Sequence, residues 1–208
     1  MRQVFVTGIG TDVGKTVVAA ILTEALQADY WKPVQSGDLD NSDTIKVKKL
    51  ITNEKSVFHP EAYRLLQPLS PHAAAQAEDI NIDLNQINLP ATPNNLVIEG
   101  AGGLFVPLNR QSLMIHLIQK LNVPVVLVSA NYLGSINHTL LSVEALRARH
   151  IPVAGIIFNG KPTPSTEDYI LQYTGLPKLL SVLPENEMNQ QVVKKYAEVL
   201  STHLNTIA

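Results

Sequence analysis

The chain has 208 residues, of which 45% are hydrophobic and 16% charged, with a formal net charge of −2. That is the composition of one ordinary globular domain with a substantial core; no run of like charge marks a nucleic-acid or membrane surface, and no apolar stretch approaches the roughly 20 residues that span a bilayer. Cysteine is absent, which excludes disulfides, thiolate metal sites and cysteine nucleophiles. The N-terminus enters a strand-like run directly rather than through a charged and then apolar leader, so a cytoplasmic location is expected.

In chain order, "VFVT" (Val4–Thr7) reads as a first strand, followed by a glycine-rich turn and a helix over Lys15–Leu26. "YWKPV" (Tyr30–Val34) reads as a short strand and Ser42–Thr52 as a helix. The stretch Pro60–Pro93 is proline-rich and irregular, and is expected to be an insertion or lid on a single domain spanning 1–208. "LVIE" (Leu96–Glu99) is a strand, then come a helix over Ser112–Leu121, the strand "VPVVLVS" (Val123–Ser129) and a helix over Ile136–His150. The strand "VAGIIFN" (Val153–Asn159), a strand at Leu179–Leu183 and a final helix over Gln190–Leu204 complete the set. Near-continuous Val, Ile and Leu without polar alternation is the mark of strands covered on both faces. Strands alternating with helices then predict an α/β fold with a doubly wound, mostly parallel sheet. In such sheets ligands bind beyond the carboxyl ends of the strands, which is where the polar motifs of this chain fall.

The first motif is "TGIGTDVGKT" (Thr7–Thr16). The common phosphate loop, G-x-x-x-x-G-K-[ST], requires glycine at position 9, where this chain has Ile9; counted from Gly8, five residues precede Gly14-Lys15-Thr16. The context between a strand and a helix is nevertheless the required one. Gly8, Gly10 and Gly14 are expected to let the loop's backbone N–H groups, from Gly10, Thr11, Asp12, Val13 and Gly14, turn toward the phosphates of a nucleoside triphosphate, with Lys15 reaching the β- and γ-phosphates and Thr16 ligating Mg2+. Glu99 ends an apolar strand, where a carboxylate is costly unless it meets a cation such as Lys15 or a metal. Asp43 begins a helix, and its simplest explanation is complementing the helix dipole. Lys32, with Ser36 and Gly37 just beyond, is either solvated or, together with Lys15, a cationic clamp on a phosphoryl group. Gly134 and Ser135 open a helix whose first N–H groups suit a carboxylate. His138 has no second ligand at metal spacing. Asn159 either reads an adenine edge or caps its strand.

Together, "FVTGIGTDVGKT", "WKPVQSG", "NSD", "SPH", "VIEGAGGLFVPL", "LGSINHTLL" and "AGIIFN" closely resemble the dethiobiotin synthetase family, in order and over essentially the whole chain. The family's loop carries the same extra residue. The resemblance implies a homodimeric, ATP-dependent ligase that converts 7,8-diaminononanoate and CO2 to dethiobiotin, with no nucleic-acid or membrane partner. It implies that Thr16, Asp43 and Glu99 hold Mg2+, and that Lys15 and Lys32, with Thr11 and Ser36, contact the transferring phosphate and a carbamate. Asn159 and the segment at Pro184 and Glu185 would border adenine, and Gly134, Ser135, Ile136 and Asn137 would receive the substrate carboxylate from the partner subunit. Two departures stand out: Asp12 takes a position that is often glutamate, and Tyr132 one that is often lysine. Two rivals share the fold. A partitioning or division ATPase would carry a second lysine where Gly10 stands and a basic C-terminal membrane helix, yet Gln190–Leu204 offers only Lys194 and Lys195. A glutamine-dependent amidoligase would bring a cysteine nucleophile, which is missing.

Overall fold

A computed structural model describes residues 2–202. Its centre is a seven-stranded sheet formed by β1 (Gln3–Gly8), β2 (Asp29–Trp31), β4 (Phe58–His59), β6 (Leu96–Gly103), β7 (Val125–Ala130), β8 (Val153–Asn159) and β9 (Lys178–Val182), in the spatial order β4-β2-β6-β1-β7-β8-β9. Every pairing within it is parallel. The helices α1 (Lys15–Leu26), α2 (Asp43–Leu50), α3 (Pro71–Ala77), α4 (Met114–Leu121), α5 (Ser135–Arg147), α6 (Pro164–Thr174) and α7 (Gln190–Ser201) flank it.

Side chains alternate along each strand, and the two faces of the sheet build separate cores. Val4, Val6, Val97, Val126, Val128 and Ile157 point toward α1 and α7. Phe5, Ile98, Val125, Leu127, Ile156 and Phe158 point toward α4, α5 and α6. The strands are apolar at nearly every position because both faces are buried. The chain departs from β1 toward one edge, returns through β6 and then builds the other edge through β7, β8 and β9. The C-terminal end of β1 therefore lies at the reversal of winding, where open α/β sheets hold their ligands.

Three departures from the expected elements have physical causes. "YWKPV" is two strands rather than one: β2 ends at Trp31, and β3 (Val34–Ser36) pairs with β5 (Tyr63–Leu65) in a separate two-stranded sheet. Pro33 between them has no N–H to continue a ladder. The stretch from Pro60 to Pro93 holds ordered pieces, β5, α3 and a 3-10 turn at Leu84–Gln86. Helix α6 escaped expectation because its fully buried positions are Glu167, Ile170 and Thr174, so only one of the three is apolar. The buried Glu167 carboxylate accepts from Asn131 Nδ2 (2.7 Å) and Lys178 Nζ (2.7 Å), which compensates its desolvation. The final turn expected to reach Leu204 lies outside the described residues beyond Thr202.

Candidate active site

The phosphate loop links β1 to α1, and Gly14, at φ +92°, is the residue before the helix. A Cβ at Gly14 would lie 2.2 Å from Asn159 Nδ2, so both the backbone angle and the close approach require glycine. Asn159, at the end of β8, donates from Nδ2 to the carbonyl of Val13 at 2.9 Å. The extra length of the loop lies against the glycine-rich end of β6, which runs past Glu99 to Gly103 rather than ending at it: Gly8 is in register with Gly103, and Thr11 Oγ1 is 3.4 Å from where a Cβ on Gly102 would stand. Gly102 itself has φ +63°, and a side chain there would strike Val106 at 2.5 Å. Thr11 and Asp12 are exposed at the tip of the loop.

Beneath the loop, four elements converge on one cluster. Register pairs Tyr30 with Val97 and Trp31 with Ile98, which brings Lys32 level with Glu99. The Lys32 ammonium donates to Asp43 Oδ2 and lies 3.3 Å from Glu99 Oε1. Thr16 Oγ1 donates to Glu99 Oε1 at 2.8 Å, and Tyr30 Oη donates to Glu99 Oε2 at 2.8 Å. Asp43 N donates to Gln35 Oε1 (3.3 Å), and Gln35 Nε2 to Gly37 O (3.0 Å), which ties the start of α2 to β3. Lys15 Nζ donates to Gly10 O at 2.9 Å, closing the loop on itself.

Lys32 is 5% exposed and Glu99 1%. Burial alone pushes the Lys32 ammonium down, but Glu99 and then Asp43 outweigh it and hold it above its ordinary range, so it stays charged. Asp43 feels the same balance in reverse: burial pushes it up, Lys32 outweighs that, and the carboxyl lies below the usual range. Lys15 has no such close partner. Burial, opposed by Glu99, brings it down to about 8. Burial and then the charge of Glu99 hold the Tyr30 phenol far above its ordinary value, so it remains a donor.

The donor set of Thr16, Asp43 and Glu99 is one hydroxyl and two carboxylates, the hard oxygens that Mg2+ prefers. A cation already lies between the two carboxylates as Lys32, which marks the place as one that favours positive charge. Among the described residues no group of three or more acids or histidines forms a complete metal cage. Beside Thr16 and Val17 a trench of about 690 Å3 opens between α2 (Lys46, Lys49) and the start of α7 (Met188, Gln190). A second hollow of about 460 Å3, lined by His72, Asp79 and Arg110 among others, shares no residue with the cluster.

The structure thus brings Lys15, Thr16, Lys32, Asp43 and Glu99 together. Ser36, on β3, has a buried hydroxyl with no hydrogen-bond partner. Pro184 and Glu185 are exposed after β9, with Glu185 accepting from Tyr196 Oη at 2.6 Å. Gly134, Ser135, Ile136 and Asn137 follow β7 and share no hydrogen bond with the cluster among the described residues. One expectation there needs correction: the Ser135 N–H is not free but donates to Tyr132 O at 3.0 Å, because Gly134 turns the chain at φ +103°. Tyr132 Oη in turn lies 2.6 Å from His138 Nδ1, which gives this histidine a local partner. Two residues of the cluster went unread in the sequence. Tyr30 is two positions before Lys32, the spacing that places both on one face of an extended chain, and Gln35 carries no signal beyond being an amide in "KPVQSG".

Fold and cluster together define a phosphate-loop nucleotide-binding protein, and the comparisons agree: the model of an AAA domain family matches residues 2–192. Solved structures with the same fold include the septum site-determining protein MinD complexed with Mg-ADP from Pyrococcus horikoshii. It has a TM-score of 0.60 and 14% identity, with 100% of this chain and 98% of that one covered. A ParA family ATPase from Chlorobium tepidum has a TM-score of 0.57 and 15% identity, covering 97% and 93%. At such identities these show the fold alone. Sequence relatives narrow the assignment. The ATP-dependent dethiobiotin synthetase BioD of Christiangramia forsetii is 53% identical over 95% of both chains. That of Cytophaga hutchinsonii is 51% identical over 95% of this chain and 96% of its own. The chain belongs to the dethiobiotin synthetase family, whose members are ATP-dependent ligases.

Proposed function

We propose that this protein carboxylates 7,8-diaminononanoate and closes its ureido ring with ATP, as the names of its relatives imply. The observation that carries this reading is the pairing of the phosphate-loop Lys15 with Lys32, a second buried cation beside Thr16, Asp43 and Glu99. One amine of the substrate takes up CO2 and loses a proton, giving a carbamate. A carbamate oxygen attacks the γ-phosphorus as ADP leaves, and a mixed carbamic–phosphoric anhydride forms. The second amine then attacks the carbonyl carbon, the ring closes and phosphate departs.

The chain supplies alignment and charge rather than a covalent partner. Lys15 reaches the β- and γ-phosphates from the loop, and Lys32 offers its ammonium to the carbamate and the transferring phosphoryl group. Ser36, whose hydroxyl is uncommitted, and Thr11 from the lengthened loop are assigned to the acceptor side. Thr16, Asp43 and Glu99 would hold Mg2+, which neutralises charge on the phosphates when bound. The nucleoside is assigned to Asn159, which packs against Gly14, and to Pro184 and Glu185.

The carboxylate end of the substrate is assigned to Gly134–Asn137 of a second copy. Apolar surface around that helix start supports a homodimer: Leu133 is 103% exposed, Tyr132 beside it is exposed, and so are Leu141 on α5 and Tyr169 and Tyr173 on α6. The division-switch alternative is disfavoured by Gly10, whose carbonyl accepts from Lys15 where that class carries its second lysine. No helix of the described residues is long and apolar enough to cross a membrane.

The test is incubation of the purified protein with diaminononanoate, bicarbonate, Mg2+ and ATP. Dethiobiotin is expected, with one ADP per product. ATP hydrolysis stimulated by lipid or DNA without that product would sink the assignment.

A further inference from the structure

Glu99 is held from two opposite sides. Its Oε1 faces the loop, accepting from Thr16 Oγ1 at 2.8 Å with the Lys32 ammonium 3.3 Å away. Its Oε2 faces the core and accepts from Tyr30 Oη at 2.8 Å. Tyr30 is 0% exposed, its backbone is in register with Val97 and its ring lies 5.8 Å from that of Phe58. The phenol is therefore fixed by strand pairing and packing, independently of the loop and of Lys32. Among the described residues it is the one donor to Oε2. A carboxylate turns easily about its last torsion, which has broad wells. Without the phenol, Glu99 is free to present both oxygens to Lys32 and to withdraw from Thr16.

We propose that Tyr30 is a positioning residue for the metal: its buried hydroxyl clamps one oxygen of Glu99, so that only the other is offered to a cation beside Thr16. This rests on the Mg2+-dependent reading of the cluster. Partners that orient a metal-binding group in this way commonly influence metal affinity by about 10–100-fold.

The test uses Mn2+ as probe, titrated by electron paramagnetic resonance into the full chain with saturating ADP. Tyr30→Phe, which removes one oxygen and keeps the ring, is expected to weaken Mn2+ binding by roughly tenfold. ADP affinity in EDTA should stay unchanged. In turnover, the Mg2+ concentration for half-maximal rate should rise by the same factor. Unchanged Mn2+ affinity overturns the proposal. So does an equal loss when the substitution is made in a Glu99→Gln background, because the effect would then not pass through the carboxylate. If Tyr30→Phe does not fold, 3,5-difluorotyrosine at position 30 keeps the hydroxyl and alters its donor strength; an unaltered Mn2+ affinity there also overturns it. The Mn2+ measurement needs no dethiobiotin formation, so failure of the proposed reaction and failure of this clamp are read separately.

Discussion

The side-chain amide of Asn159 donates to the carbonyl oxygen of Val13, 146 residues earlier in the chain, at 2.9 Å. This bond ties the end of β8 to the phosphate loop just before Gly14, where no other side chain would fit. Asn159→Ala is expected to cost about 1 kcal/mol, the worth of one such bond, and to weaken ATP binding roughly fivefold with little change in turnover at saturation. ATP titration and thermal unfolding together check this. An unaltered affinity would mean that the loop holds its shape untethered.

Lys32 carries the second positive charge of the cluster. Lys32→Gln keeps a polar side chain but loses that charge, and turnover is expected to fall by about two to three orders of magnitude. ADP affinity measured in EDTA should barely move if, as proposed, Lys15 and the loop hold the phosphates. Asp12→Glu, at the exposed tip of the loop, is expected to change turnover far less. Near-normal turnover in Lys32→Gln would remove the clamp from the mechanism.

Lys15 makes ATP binding sensitive to alkali. In the unliganded protein its ammonium titrates at about 8, depressed by burial, whereas bound phosphate favours the charged form and raises it. Above pH 8 the free protein is increasingly neutral at Lys15 and must take up a proton to bind. Metal-free ATP affinity should therefore decline with pH, approaching about tenfold per unit. Calorimetry in buffers of different ionisation enthalpy should show proton uptake at pH 9 and little at pH 7.

Acid stability depends on Asp29, at the opposite end of β2 from Lys32. This 1%-exposed carboxylate accepts from Val57 N, Thr92 Oγ1 and Asn94 Nδ2, and His59 Nε2 lies 3.0 Å away. Burial pushes its carboxyl up, but these bonds outweigh that and hold it below the ordinary 3.8. A depressed carboxyl contributes stability that is fully present above 3.8 and lost as pH falls through its lower folded value. Asp29→Asn should flatten that acid limb and cost about 1–3 kcal/mol at neutral pH, read by denaturant unfolding across pH.

Leu133 tests the assembly. Leu133→Asp places a charge on the apolar surface at the start of α5 and is expected to shift the protein to a monomer in sedimentation. Turnover should fall with it, because the carboxylate subsite would lose its donor subunit. A fully active monomer would remove the shared site.

Much of this was legible in the sequence where one constraint acts alone. Strands buried on both faces, β7 above all, announce themselves as apolar runs. The Gly14-Lys15-Thr16 turn is legible because its chemistry tolerates few alternatives. Helix α6 was not, because its buried face includes the polar Glu167 and Thr174, and Glu167 is compensated by Asn131 and Lys178 from outside the helix. The partition of "YWKPV" between two sheets was only half legible: Pro33 marks the break, but the partner that takes β3 into a second sheet, β5, is distant in sequence. Tyr30 escaped notice for a related reason. A tyrosine in a strand is ordinarily packing, and its role follows from Glu99 lying opposite.

On the proposed reading, the division at Pro33 separates two tasks. The residues assigned to the phosphoryl donor answer to the seven-stranded sheet, while Ser36, assigned to the acceptor, answers to the small one, with Lys32 at the seam. On that reading the front end is interchangeable. Remodelling β3, β5 and the segment between them would offer a new acceptor to an untouched phosphate grip, and grafting that patch onto another chain of the same fold is how such retargeting would be attempted.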